Sequence, residues 1–317
     1  MSTNERAVYG EHQTGSGGLA GRRIAVTGGT SGLGLALVEE LSALGAHVAF
    51  VARGRERIEQ VRRKLPKTHG IAGDVARKDE IHPIAIQIAS ALGGLDVLIN
   101  NASSLGPVPL ASLADTDCED LEQALATNLL GPFRLTKALL GSLASSAREG
   151  RGAVVVNISS DAAVNAYGGW GAYGASKAAL LHMTRIWQEE LGPAGVRLIS
   201  FDPGDMDTPL HAAAIPDADR ASLKDPATSA RELIRLIDDL LAKTPAVVQT
   251  RAGSISPVMA YPNLISWSWT VWPPSSATPA SPSVCRPPRK IADRIARSAS
   301  LGKPAIASAV SGRPPIA

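Results

Sequence analysis

Tyr173 and Lys177 stand four residues apart in a stretch with helical patterning, which makes them neighbours on one helix face. A phenol ordinarily titrates near pH ~10. A lysine ammonium beside it favours the phenolate, so Tyr173 is expected below that value, able to exchange a proton with a carbonyl or alcohol oxygen near neutral pH. Ser160 closes the strand-like run Asn157-Ile158-Ser159-Ser160, where it is placed to hydrogen-bond the same oxygen and stabilise charge developing on it. Each residue also has a plainer reading, as a pair on an exposed helix and as a turn residue ending a strand.

A second constellation lies near the start of the chain. Thr27-Gly28-Gly29-Thr30-Ser31-Gly32-Leu33-Gly34 follows the apolar run Ile24-Ala25-Val26 and opens a stretch where Leu33, Leu35, Ala36, Val38, Leu41 and Leu44 recur near the helical period. Glycines there let the chain turn sharply out of a strand and let a pyrophosphate approach the backbone. The free N–H groups and positive dipole end of the next helix favour an anion. The order Gly28-x-x-x-Gly32-x-Gly34 departs from the G-x-G-x-x-G dinucleotide fingerprint. An oxidised nicotinamide bound here would add its positive charge to that of Lys177 beside the phenol.

The elements that must position these residues alternate. Strands are predicted at 22–27, 47–52, 69–73, 95–99, 153–158 and 195–201, and helices at 32–44, 54–65, 77–92, 115–146, 170–191 and 229–242. Such alternation implies an α/β fold: a doubly wound parallel sheet in a three-layer αβα, Rossmann-like arrangement. The strands are rich in Val, Ile and Ala with little polar alternation, as a sheet covered on both faces requires. All strand C-termini then share one edge, where a ligand should sit.

In this order the features resemble the short-chain dehydrogenase/reductase family in its single-domain form. The resemblance spans Arg22 to about Leu241. It is carried by Thr27-Gly28-x-x-x-Gly32-x-Gly34, Asp74-Val75, Asn100-Asn101-Ala102, Asn128, Ser160, Tyr173-x-x-x-Lys177 and Pro203-Gly204. It implies a dinucleotide held by the glycine turn, with Thr30, Ser31 and Leu33 among its contacts. It implies that Asp74 and Val75 flank the adenine and that Asn101 and Ala102 line the cofactor cleft. Asn128, inside the predicted helix 115–146, would hold a water in a proton relay with Lys177. Lys177 would also bond the nicotinamide ribose, Pro203 and Gly204 would sit against the nicotinamide, and Thr208 would lie near its carboxamide or the phosphates. The resemblance further implies a homo-oligomer and a small carbonyl or alcohol substrate.

The second strand ends at Ala52, followed by Arg53, where an acid would accept the ribose hydroxyls of NAD. A guanidinium grips a 2′-phosphate and an acid repels it, so NADP(H) is favoured, with Arg55 as a second support. Substrate would be held by 161–172 and 205–225. There Ala162, Ala163, Val164, Tyr167, Trp170, Met206, Leu210 and Ile215 offer an apolar lining, and Asp205 and Asp207 stand beside the cofactor or cap the next helix.

The chain has 317 residues, 44% of them hydrophobic, enough to bury a large core. A net charge of +3 calls for neither a nucleic-acid nor a membrane partner. Cys118 and Cys285 are the only cysteines and have no metal-like spacing, which suits a reducing cytoplasm and no metal site. Residues 1–21 read as a flexible tail, 22–250 as the dinucleotide-binding and catalytic domain, and 251–317 as a disordered, low-complexity tail rich in Pro, Ser and Arg. Residues 245–250 are a short substitute for the family's last strand. The apolar stretch 255–272 is interrupted by Pro257, Pro262 and Asn263 and suits a membrane span poorly. Rival readings are a cofactor-binding regulator without turnover and a sugar-nucleotide epimerase or dehydratase. The latter is disfavoured by the glycine spacing.

Overall fold

The computed structural model describes residues 18–242, and in it the predicted alternation closes into one six-stranded parallel sheet. The strands are β1 (Arg23–Thr27), β2 (His47–Ala52), β3 (His69–Ala72), β4 (Val97–Asn100), β5 (Ala153–Ile158) and β6 (Val196–Phe201), in the order β3-β2-β1-β4-β5-β6. The helices are α1 (Gly32–Ala43), α2 (Arg55–Lys64), α3 (Ile81–Leu92), α4 (Cys118–Leu125), α5 (Gly131–Arg148), α6 (Gly171–Leu191), α7 (Pro209–Ala214) and α8 (Pro226–Ala242).

Strand periodicity explains the layers. Ile24, Val26, Val48, Phe50, Val97, Ile99, Val154 and Val156 bury on one face with residues of α1, α2 and α8. Their neighbours Ala25, Ala49, Val51, Leu98 and Val155 bury on the other, with residues of α3, α5 and α6. Both faces are therefore apolar, and the expected three-layer doubly wound fold is what forms.

Several boundaries differ from the expected ones. The single helix expected over 115–146 is broken: α4 and α5 are separated by a π-helical turn, Ala126–Leu130, that contains Asn128. The segment before α3 forms turns instead of helix, with Arg77 N donating to Asp74 O and Glu80 N to Arg77 O. Helix α8 starts earlier, at Pro226, where a proline has no amide hydrogen to lose, and Asp225 Oδ1 accepts from Ala227 N. The short α7 was not foreseen. Leu19, assigned above to a flexible tail, is buried in the α1–α8 core. The remaining tail residues, the substitute strand at 245–250 and the 251–317 segment lie outside the described residues. Among those described, no helix is long and apolar enough to cross a membrane, and no cluster of three or more His, Cys, Asp or Glu could hold a metal.

At the N-terminal ends of β1, β4 and β5 a charged knot ties the strands. The carboxylate of Asp96 is fully buried and accepts hydrogen bonds from Arg23, Arg151 and Ser146, at 2.6–3.1 Å. Burial disfavours its charge, but these donors outweigh that and hold its pKa well below the ordinary carboxylate range.

Candidate active site

The C-terminal ends of β1 and β4 adjoin where the strand order reverses, the switch point at which such sheets bind ligands. A clasp joins them. Thr27 Oγ1 accepts from the backbone amides of Asn101 (2.9 Å) and Ala102 (3.0 Å), and Asn101 Nδ2 donates to Thr27 O at 2.9 Å. Gly28 takes a φ of 74°, and a Cβ there would press on the Asn101 amide and the Ala102 backbone. A Cβ at Gly34 would collide with the Gly28 carbonyl, so α1 can pack against the turn only through glycine. Ser31 is the N-cap of α1, yet its side chain makes no capping bond, and no acid occupies the first turn. The first amides of α1 are thus left for an anion.

These features border a cleft of about 780 Å³, within the range of cofactor sites. Of the residues singled out for the cofactor, Gly28, Thr30, Ser31, Gly32, Leu33, Arg53, Asp74, Val75, Asn101, Ala102, Lys177 and Thr208 line it. Thr27, Gly34, Pro203, Gly204 and Tyr173 are not among the residues that line it. The chain of glycine turn, uncapped helix start and a rim carrying Arg53 and Arg57 with Glu56 between them fits an elongated anionic dinucleotide. Arg57 lines the cleft with Arg53, whereas Arg55 does not. Two positions along a helix turn a side chain about 200° around its axis, so the second cation of the rim is Arg57, not the Arg55 read from sequence.

Tyr173 and Lys177 lie in the first two turns of α6, against the end of β5, and both are buried. Lys177 Nζ donates to Ile158 O at 2.8 Å and stands 5.4 Å from the Tyr173 ring centroid. Burial pushes its pKa down to about 8, against the opposing charge of Asp202. The expected lowering of the phenol rests on Lys177 together with a bound oxidised nicotinamide; in the chain alone the displacement runs the other way. Burial pushes the Tyr173 phenol up, aided by Asp202 and Asp161, and outweighs the hydroxyls of Ser160 and Ser103, which pull it down. Tyr173 Oη faces those hydroxyls but completes no hydrogen bond of normal geometry. A buried oxygen left without a partner fits a site that takes a substrate oxygen.

Ser160 Oγ accepts from Ala162 N and donates to Asp161 Oδ1, both at 3.2 Å. Asn128 binds protein groups through its side chain. Nδ2 donates to Ser104 O (2.7 Å) and Ser176 Oγ (2.8 Å), and Oδ1 accepts from Ser104 N (2.8 Å) and Ser103 Oγ (3.2 Å). It fastens the loop after β4 to α6 and so positions Ser103 opposite Tyr173. Ser103, Ser104 and Asp202 were missed in the sequence. The first two directly follow Asn101-Ala102, and the third precedes Pro203-Gly204, so adjacency to those pairs was the available signal.

Leu105, Ala162, Trp170 and Tyr173 form a small buried cluster, with Tyr167, Leu210 and Ile215 packed on it. Trp170 meets Tyr173 edge-on, ring centroids 5.9 Å apart. Of the residues expected to form an apolar lining, Ala162, Tyr167, Trp170, Leu210 and Ile215 join this cluster, Ala163 does not, and Val164 is turned to solvent at 70% exposure. Met206 is buried and lines the cleft. Asp207 does not cap the next helix. It pairs with Arg220 through both oxygens (2.8 and 2.9 Å), and Thr208 Oγ1 caps α7 by accepting from His211 N.

The sequence model described as short chain dehydrogenase matches residues 22–219. The chain belongs to the short-chain dehydrogenase family. This short-chain dehydrogenase is 34% identical to L-fucose dehydrogenase from Bos taurus, over 62% of this chain and 72% of that protein. A longer relative, an uncharacterized short-chain type dehydrogenase/reductase from Sinorhizobium fredii, is 32% identical over 61% of this chain and only 34% of its own length. Among solved structures it is similar to a short chain dehydrogenase from Burkholderia cenocepacia in complex with NADP. The identity is 27% over 69% of this chain and 91% of that one, with a TM-score of 0.62. Membership makes it an oxidoreductase of the class that acts on alcohol and carbonyl groups.

Proposed function

We propose that the chain interconverts a small secondary alcohol with its ketone, or reduces an aldehyde, using NADP(H) and Tyr173 as general acid and base. The observation that carries this reading is the buried, unpartnered Tyr173 Oη between Ser160 and Ser103, one helical turn from Lys177 at the cleft. The glycine turn and α1 amides would hold the pyrophosphate, Asp74 and Val75 the adenine, and Lys177 the nicotinamide ribose. When bound, the nicotinamide supplies hydride exchange and, oxidised, a positive charge. Ser160 bonds the reacting oxygen, and Tyr173 takes its proton in oxidation or returns it in reduction. A phenol pushed up by burial needs neighbouring cations to ionise, and Lys177 is the one this chain provides. Asn128 acts by positioning Ser103 and Ser176.

Arg53 and Arg57 on the cleft rim, with Ala52 where an acid would repel a 2′-phosphate, support NADP(H) over NAD(H). The NADP-bound structural relative is consistent with that choice. The apolar cluster around Tyr173 supports a substrate with an apolar body. Exposed Leu130 and Ile186, beside the stacked Phe133–Trp187 pair of α5 and α6, support a homo-oligomer built on that face. A cytoplasmic setting accords with two cysteines of no metal-like spacing.

The test is a panel of ketones, aldehydes and alcohols read by NADPH absorbance, with Tyr173→Phe beside the wild type. Turnover should fall about 100-fold or more in the variant, while NADPH binding, followed by fluorescence, persists. Binding with no turnover in either protein would instead establish the non-catalytic regulator.

A further inference from the structure

Asp161 adjoins Ser160 and takes no part in the proton path above. Its Oδ1 accepts from Ser160 Oγ at 3.2 Å, and its Oδ2 accepts from Tyr167 Oη at 2.7 Å, so the carboxylate is held in one orientation. The residue after it, Ala162, belongs to the buried apolar cluster of Leu105, Trp170 and Tyr173, and Asp161 is near enough to Tyr173 to act on its phenol. Each carboxylate oxygen has two acceptor sites, and Oδ1 uses one of them on Ser160. Ser160 Oγ also accepts from Ala162 N, and its proton is donated to Asp161.

Two hydroxyls on adjacent carbons, in the gauche arrangement, have oxygens about 3 Å apart. That nearly equals the separation of Ser160 Oγ and Asp161 Oδ1. One hydroxyl can therefore rest on Ser160 while the next donates to Asp161. In doing so it takes the acceptor site of Oδ1 that Ser160 leaves open. A simple alcohol has no group to fill that site. The surrounding charge also selects. Asp161 and Asp202 act electrostatically on Tyr173, and Asp161 and Asp205 on Tyr167. Nearby cations are engaged, Lys177 by Ile158 O, Arg220 by Asp207 and Lys224 by Glu232. The mouth of the site is thus hostile to carboxylate or phosphate substrates.

We propose that Asp161, anchored by Tyr167, is the specificity-determining residue of the site, and that the substrate class is a neutral vicinal diol, oxidised to the α-hydroxy ketone. The inference rests on the oxidoreductase reading above. In that oxidation the carbinol C–H bond breaks and its electron pair leaves with the hydrogen as hydride to the oxidised dinucleotide. The O–H proton passes to Tyr173, and the C–O bond becomes C=O.

The full chain is assayed with NADP+ on cis- and trans-cyclohexane-1,2-diol against cyclohexanol, following NADPH formation. In the wild type, kcat/KM for the better diol should exceed that for cyclohexanol by about tenfold or more, the fold-change of one hydrogen bond to a charged group. Asp161→Ala should bring that ratio towards one, through a lower diol kcat together with a relatively higher cyclohexanol kcat. Tyr167→Phe should lower the ratio part of the way. A purely structural role for Asp161 would depress both substrates together and leave the ratio unmoved. A wild-type ratio near one, or a ratio that neither variant changes, overturns the inference while cyclohexanol turnover leaves the oxidoreductase reading intact. If Asp161→Ala fails to fold by circular dichroism, an unmoved ratio in Tyr167→Phe suffices to overturn it. Absence of turnover on every alcohol and carbonyl overturns the oxidoreductase reading, and this inference with it.

Discussion

Lys177→Met should make the protein more stable at pH 7 and nearly inactive. Lys177 is 2% exposed, and its ammonium has one hydrogen-bond acceptor, Ile158 O at 2.8 Å, with the Tyr173 ring beside it. Burial moves its pKa from 10.5 to about 8. At about 1.4 kcal/mol per pH unit, that displacement corresponds to about 3 kcal/mol of disfavour for the charged form in the folded state. The unfolded chain keeps the proton up to pH 10.5, whereas the folded chain releases it above about pH 8. The penalty is therefore complete below pH 8, shrinks as pH rises towards 10.5, and is absent beyond it. Methionine has a similar reach and carries no charge, but it forfeits the bond to Ile158 O, worth about 1 kcal/mol. The variant should then be more stable than the wild type by about 2 kcal/mol at pH 7 and no more stable at pH 10.5. Urea denaturation followed by tryptophan fluorescence at both pH values measures the difference. A variant less stable at pH 7, or a difference that does not change with pH, would refute the argument. Turnover should fall about 100-fold or more in the same protein, because the cation beside the phenol is gone.

The charged knot predicts the opposite sign. Asp96→Ala should destabilise by about 3 kcal/mol, the lower end for breaking a buried pair, because Arg23 and Arg151 can partly turn to water. Since the folded pKa of Asp96 lies below its unfolded value of 3.8, its stabilisation is present above that pH and fades as pH falls further. Urea midpoints at pH 7 and in the acid range should therefore converge between wild type and variant on acidification. At the cofactor rim, Arg53→Ala should weaken NADPH binding about tenfold to hundredfold, as loss of a hydrogen bond to a phosphate implies. NADH binding should barely move, and Arg53→Ala with Arg57→Ala should weaken NADPH further. Fluorescence titration with both dinucleotides reads this directly, and an unchanged preference would contradict the assignment.

Period and spacing made most of the fold and the cofactor edge legible before any coordinates. A parallel sheet buried on both faces leaves its mark as short apolar runs such as Val48–Ala52 and Val154–Ile158. The glycine turn is local backbone chemistry, and Tyr173 and Lys177 are neighbours by helix geometry alone. What escaped depends on contacts across the fold. The π-helical turn at Asn128 leaves no periodic trace in 115–146, because one inserted residue changes the helix phase without changing its composition. Arg57 lines the cleft and Arg55 does not because two positions turn the side chain about 200° around α2, and which face meets the cleft depends on how the helix packs, not on its predicted bounds. Leu19 lies in a polar, glycine-rich segment whose burial is decided by α1 and α8.

The upward displacement of Tyr173 belongs to the chain without the nicotinamide cation that the expectation included, and its cause lies outside any i,i+4 rule. A neighbouring ammonium favours the phenolate, but the net displacement is downward only where that attraction exceeds the cost of burying the charge. In the buried cluster of Leu105, Ala162 and Trp170 the phenolate loses more hydration than Lys177 returns, and Lys177 is itself pushed towards neutrality. Tyrosine and lysine are thus displaced away from each other by one apolar enclosure, the first up and the second down. A further positive charge entering that enclosure acts on both in a low dielectric: it draws the phenol towards ionisation and the ammonium towards releasing its proton. In the chain alone, the two groups are held as the uncharged phenol and the weakened ammonium, so the general acid and base role proposed for Tyr173 requires the cleft beside Lys177 to be filled.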